Sequence, residues 1–217
     1  MSDKSQTEQQ KQALIEAVLQ HVPFDGWSDQ SLAMAGADCG YEAIEVKQLF
    51  PTVNDAISFY GQMADDAMMA AYQTHDALPE RTHLKIRLLI EIRLTQAIPQ
   101  KEAIRNTLKY LAAPQNAALA SSLLYRTVDA MWRCAGDTST DFSFYSKRAT
   151  LAGIYSATLL AFLGDDNADM AKVMAFLDRR LADSAKIPKV TEPAKQVFGK
   201  VAGLASSLLA KGGARYR

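Results

Sequence analysis

The sequence predicts an all-α protein, and three observations carry the prediction. Alanine, leucine, methionine, glutamine and lysine, which lose little rotamer freedom in a helix, recur along the chain. Only seven prolines and eleven glycines are spread over the 217 residues. Apolar residues repeat at helical spacing in segment after segment, with no useful strand-like alternation and no internal repeat. The length fits one domain with small appendages, and 48% hydrophobic with 22% charged residues is ordinary for a soluble globular chain.

The elements follow in order. "KQALIEAVLQHV" (11–22) spaces Leu14, Ile15, Val18, Leu19 and Val22 as a helix, and "PFDGW" breaks it. Ser28 caps a short second helix that Gly40 closes, and a third, "YEAIEVKQLF", stops at Pro51. A longer fourth helix covers 53–73. A fifth, over 81–98, aligns Leu84, Leu88 and Ile92 with Leu89 beside them, and Pro99 ends it. Helices over 101–113 and 115–136 come next, then the polar loop "CAGDTSTDFSFYSKR" (134–148). The nearly all-apolar stretch 146–164 reads as central to the core, and 165–185 as a further amphipathic helix. The organisation expected is a head over 1–60, a body over 61–185, a Pro-bounded linker at 186–193 and a tail at 194–217.

Charge is zero overall but unevenly placed. Residues 1–60 hold three bases against nine acids, a net −6, whereas 193–217 hold Lys195, Lys200, Lys211, Arg215 and Arg217 and no acid. The two cysteines, Cys39 and Cys134, stand far apart without metal-ligand spacing, which points away from a disulfide framework or zinc site and toward a reducing compartment. The polar start has neither a signal-peptide core nor a transit-peptide pattern, and no run approaches the ~18 apolar residues of a membrane span. The expectation is a cytoplasmic protein, unless a presequence has been removed.

Motifs of catalysis are incomplete. Glu80 and His83 make one Glu-x-x-His step, but a di-iron carboxylate site needs two, and His21 and His75 have Val18 and Tyr72 three positions earlier. Asp165, Asn167 and Asp169 open like a calcium loop, yet Met170 replaces the glycine and Phe176 the bidentate glutamate. The carboxylates Asp137 and Asp141 have no accompanying base or metal ligand. The chain is therefore read as a non-enzyme, with no metal site and no catalytic residue.

The N-terminal pattern "LIEAVLQHVPFDGWSDQSLAMAGADCG", followed by "LFP" and a long helix, resembles the head of the tetracycline-repressor (TetR) family, whose helix-turn-helix enters DNA. Duplex binding depends on neutralising phosphates. Here the would-be recognition helix sets Glu42 and Glu45 against Lys47 alone, so the head is expected not to bind nucleic acid.

On a helical wheel the tail places Val197, Val201, Leu204 and Leu208 on one side with Phe198 beside them, and Lys200 and Lys211 at a border. Lysines so placed suit an interfacial helix on anionic lipid; the alternative is a terminal helix folded back onto the body.

The segment "VDAMWRCAGDTSTDFSFYSKRATLAGIYSATLL" closely resembles the lipid-binding coenzyme Q biosynthesis family, the ninth protein of that pathway. The resemblance extends to the "P…GW" turn, the "FLDRRLADS" helix and the amphipathic tail. It implies a TetR-like helical bundle without DNA binding, a homodimer, a peripheral membrane position at the inner membrane, and the mitochondrial matrix side where a presequence has been trimmed. It also implies a bound isoprenoid or other lipid rather than a cofactor, and a partner: the di-iron hydroxylase of ubiquinone synthesis, to which quinone precursors are presented. Matched residue by residue, the partner-binding surface falls on Asp129, Met131, Phe144, Tyr145 and Arg148, with Asp141 in the same block. Phe144 stands where many relatives have Trp, and Arg133 and Cys134 replace a His-Tyr pair. Met131 and Phe144 are open to a core reading as well. Thr138, Thr140 or Asp141 are candidates to cap the following helix, leaving Phe144, Tyr145 and Arg148 as an exposed anchor. Leu88, Leu89, Ile92, Leu123, Leu124, Ile154, Leu159 and Leu160 would line a lipid pocket or equally fill a solid core. A lipid-sensing TetR-type regulator is the alternative function.

Overall fold

The computed structural model describes residues 3–140, 142–165 and 170–186. Nine α-helices run along these residues: α1 (Asp3–Asp25), α2 (Asp29–Asp38), α3 (Ala43–Leu49), α4 (Val53–Gln73), α5 (Thr82–Ala97), α6 (Lys101–Leu111), α7 (Ala117–Cys134), α8 (Phe142–Gly164) and α9 (Met170–Lys186). Among the described residues there is no strand, and no helix is long and apolar enough to cross a membrane. The linker beyond Lys186 and the proposed membrane residues Val197, Phe198, Lys200, Val201, Leu204, Leu208 and Lys211 lie outside the described residues.

Local chemistry sets most boundaries. Ser28 accepts the Ser31 amide at 3.0 Å while Ser31 Oγ accepts the Ser28 amide at 3.0 Å, a reciprocal cap that starts α2. Thr52 and Asp55 repeat the arrangement at the start of α4. Gly40, at φ 71°, lets the Tyr41 amide reach back to the Gly36 carbonyl at 2.8 Å, closing α2 and turning the chain into α3.

Two ends differ from the sequence reading. α1 begins at Asp3 rather than near Lys11; the residues before Lys11 carry no apolar periodicity to announce the helix, although Gln6, Glu8, Gln9 and Gln10 are good helix formers. It also runs through Pro23 to Asp25. The break falls at Gly26 (φ 69°), whose amide donates to the Val22 carbonyl at 3.0 Å, while the Asn106 side chain donates to the Pro23 carbonyl at 3.3 Å.

The helices enclose two apolar cores. In the first, Leu14, Ile15, Val18 and Val22 of α1 meet Leu32 of α2, Val46 of α3, Ile57 of α4 and Ala103 of α6. In the second, Met68 and Tyr72 of α4 pack with Leu89, Ile90 and Leu94 of α5, Val128 and Met131 of α7, Leu151, Tyr155 and Phe162 of α8, and Leu177 of α9. The expected head boundary at residue 60 thus falls inside α4, a continuous helix with one half in each core. Trp27 ties the first core to α6 by donating its indole N–H to Thr107 Oγ1 at 2.8 Å. A buried polar clamp joins α4 to α7 and α5: Asp65 accepts from Arg126 Nε at 3.0 Å and Thr127 Oγ1 at 2.8 Å, with Arg93 Nε 3.6 Å away.

The α2–α3 corner is tight. A Cβ added at Gly36 would sit 2.3 Å from Val46 Cγ2, and the β-branched valine has little freedom to withdraw. Gly36→Ala is expected to lower the unfolding free energy by about 1 kcal/mol or more through overpacking, despite alanine's better helix propensity. In chemical denaturation the double variant Gly36→Ala/Val46→Ala should be less destabilised than the sum of its single variants.

Candidate partner-binding site

The site is the corner where α7 hands the chain to α8. α7 ends when the Ala135 amide bonds the Met131 carbonyl and Gly136 takes φ 86°, which allows the Asp137 amide to reach the Trp132 carbonyl at 3.0 Å. That reversal turns Asp137 back toward the start of α8. Its carboxylate is 4% exposed.

Two consecutive cations of α8 converge on it. Lys147 Nζ donates to Asp137 Oδ1 at 2.8 Å and Arg148 Nη1 to Oδ2 at 3.1 Å. The Ser139 hydroxyl donates to Oδ1, and Lys147 also donates to that hydroxyl oxygen at 3.0 Å. Arg148 continues to α7, its Nε donating to Asp129 Oδ1 at 2.7 Å, while Arg133 Nη2 holds Asp129 Oδ2 at 2.7 Å. Burial alone would raise the pKa of Asp137. The hydrogen bonds from Lys147, Ser139 and Arg148 outweigh it and hold the carboxyl well below the usual carboxylate range.

Aromatic rings cover this network. The Arg148 guanidinium lies 3.4 Å from the centroid of Phe144 and donates to the Phe144 carbonyl at 3.2 Å. Phe144 and Tyr145 meet edge to face, centroids 5.1 Å apart at 77°. Lys147 Nζ stands 5.5 Å over the Trp132 ring. Tyr145 is 64% exposed, with Tyr125 and Arg133 also exposed on α7.

These positions refine the expected surface. Tyr145 faces solvent as anticipated, and Phe144 is half-buried beneath it. Arg148 is not an exposed anchor: it is buried, because its guanidinium donors are taken by Asp129, Asp137 and the Phe144 carbonyl. Asp129 is buried in the same network, and Met131 is fully enclosed in the second core, the packing reading rather than the contact one. Thr138 and Thr140 are exposed, and Asp141 lies outside the described residues. α8 begins at Phe142 instead of Ser146, so the aromatic half of the loop is the first turn of that helix.

Sequence reasoning missed Asp137 as the organiser of the corner. The available signal was an acid directly after a helix-ending Gly136, with a Lys-Arg pair ten and eleven residues on.

Other expected features are placed as follows. Leu88, Leu89, Ile92, Leu124, Ile154 and Leu159 lie in or against the second core, Leu123 packs against the first, and Leu160 is exposed. A cleft of about 480 Å³ opens elsewhere, between the end of α1 and the α5–α6 turn, lined by Leu19, Phe24, Ile98 and Glu102 among others. Glu80 and His83 are exposed at the start of α5, and among the described residues no three His, Cys, Asp or Glu side chains group around a possible metal position. Cys39 and Cys134 are free, and burial pushes both thiols upward, away from nucleophilic use.

The depressed carboxyl of Asp137 has a pH consequence. In the unfolded chain it titrates near pH 4 (about 3.9 for an ordinary Asp), so its stabilisation is fully present above that pH. Stabilisation is lost as pH falls through the lower folded value. Denaturation midpoints measured between pH 6 and pH 2.5 should therefore fall steeply below about pH 4, and Asp137→Asn should start lower and show a shallower acid slope.

Known proteins resemble both this corner and the chain around it. Residues 117–188, which contain the whole Asp137 network, match the COQ9 family model. The chain is 29% identical over 200 residues to the mitochondrial ubiquinone biosynthesis protein COQ9 of Rattus norvegicus, covering 89% of this chain and 64% of that protein. The human COQ9 protein is 28% identical over 200 residues, with 89% and 63% covered, and COQ9-A of Xenopus laevis is 33% identical over 190 residues, with 82% and 58% covered. The chain thus spans somewhat under two thirds of these relatives' length. A crystal structure of a TetR transcriptional regulator from Nitrosomonas europaea ATCC 19718 superposes with a TM-score of 0.64 at 20% identity, covering 81% of this chain and 98% of the regulator. At that identity the likeness establishes a TetR-like all-α fold and nothing of function. The chain is thus similar to the COQ9 ubiquinone biosynthesis proteins over most of its own length, and residues 117–188 are the part that matches the COQ9 family model.

Proposed function

We propose that the protein is a non-enzymatic accessory factor of ubiquinone biosynthesis, which binds isoprenoid quinone precursors at the membrane and presents them to the di-iron quinone hydroxylase. The observation that carries this reading is the COQ9 match over residues 117–188, which coincides with the exposed Tyr145 face and its buried support. An exposed aromatic backed by a rigid ion network is the composition of an interface anchor. Homodimerisation belongs to the same proposal.

The lipid-binding step makes a physical demand. The apolar faces of α5, α7 and α8 meet in packed cores, so a lipid between them requires the helices to part or the side chains to repack. The tail supplies membrane attachment, its five bases and apolar arc addressing an anionic surface. The relatives are named mitochondrial, and the inner membrane, on its matrix side in mitochondria, is the proposed place of action.

The regulator reading is disfavoured by the head itself. Lys47, the single base of α3, is paired with Asp29 at 2.9 Å, and Glu45 binds the Glu42 amide at 2.7 Å, leaving the exposed edge of α3 acidic.

Two measurements test the proposal. Native mass spectrometry with lipid extraction on the purified chain should find an isoprenoid quinone or its precursor; a protein that stays empty when offered such lipid would overturn the lipid role. Removing residues 190–217 should abolish cosedimentation with anionic vesicles while the circular dichroism of the body persists, and unchanged cosedimentation would remove the tail from the mechanism.

A further inference from the structure

We infer that Asp137 is a positioning residue for the partner-facing aromatic pair, acting through Arg148 and Phe144 on Tyr145. The inference rests on the reading of the Tyr145 face as the hydroxylase-binding surface, and assigns a role to a carboxylate that is shielded from a partner. With 4% of its side chain exposed, the Asp137 carboxylate lies beneath the surface.

The line of contact is continuous. The carboxylate grips Lys147 and Arg148, neighbours on α8, and so fixes the rotation of that helix about its own axis. The Arg148 guanidinium, oriented by Asp137 on one side and Asp129 on the other, forms the floor on which the Phe144 ring rests at 3.4 Å. Phe144 in turn meets Tyr145 edge to face at 5.1 Å. Tyr145 is the member of this series with most of its surface in solvent.

Neutralising Asp137 removes one of the two carboxylates that orient Arg148 and the ion-pair partner of Lys147. The cation of Arg148 then keeps a single carboxylate, Asp129, beside the Phe144 carbonyl, and a second geometry becomes accessible to it. The first turn of α8 loses its fixed register, and the tyrosine its single presentation. Preorganisation of this kind enters affinity as ordering that no longer has to be supplied on binding.

The test is a double-mutant cycle on association between the full chain and the di-iron hydroxylase, read by isothermal titration calorimetry. Tyr145→Ala and Asp137→Asn are each expected to weaken association about tenfold. The double variant should be no weaker than the weaker single variant, because Asp137 acts only through the residue already removed. Asp137→Glu, which keeps the charge, should recover part of the loss. Hydrogen exchange on the partner-free Asp137→Asn chain should show faster exchange over 142–148 with α5 and α9 still protected. Lys147→Met is the milder variant where Asp137→Asn does not fold, with the same pattern expected.

The outcomes separate cleanly. Additive losses overturn the inference, as does wild-type affinity of Asp137→Asn (or of Lys147→Met in its place) beside a weakened Tyr145→Ala; in both the partner surface stands. If Tyr145→Ala binds as the wild type does, the partner surface itself is refuted and the positioning role falls with it.

Discussion

The corner between α7 and α8 depends on one buried cation. Arg148 cannot be left unpaired in the interior, because a desolvated guanidinium without partners costs several kcal/mol. It is satisfied by two carboxylates from different places, Asp129 on α7 and Asp137 in the turn, so the cation defines how helix, turn and helix meet. α8 packs against α5, α7 and α9 and supplies Leu151, Tyr155 and Phe162 to the second core. An arginine fixing its first turns therefore sets the orientation of the helix around which the body is assembled.

The Asp65 clamp serves α4, α5 and α7 in the complementary sense. There one carboxylate gathers two arginines and a threonine, whereas at the corner one arginine gathers two carboxylates. α7 takes part in both, through Arg126 and Thr127 at one level and Asp129 one turn later. Its polar residues are thereby spent on internal geometry, and what it leaves to solvent at this end is Tyr125 and Arg133. The chemistry that builds the body and the surface it offers are consequences of the same residues.

The fold was largely legible because helices advertise themselves by spacing. Leu14, Val18 and Val22 name a buried face without reference to anything else, and Ser28 and Gly40 mark helix ends through bonds that reach only three to five residues. The corner was less legible because its bonds join residues 19 and 11 positions apart, at no helical or strand period. The family block placed Arg148 in the right neighbourhood, but exposure of a long basic side chain is a default that only its buried partners overturn. The onset of α8 at Phe142 was obscured for the same reason. A polar run followed by aromatics carries no periodicity until the Lys147 and Arg148 contacts give it a register.

α4 carries a consequence for the molecule as a whole. Its 21 residues form a shaft about 30 Å long that is embedded at one end in the first core and at the other in the second. Melting either half would expose the apolar face that half gives to its own core, and Ile104 of α6, which packs against both cores, makes a second crossing. The head, whose third helix offers Lys47 alone beside Glu42 and Glu45 where a DNA reader would be basic, is built into the molecule through that shaft. Head and body share one structural member, and the helix that closes the first core also carries Met68 and Tyr72 into the second.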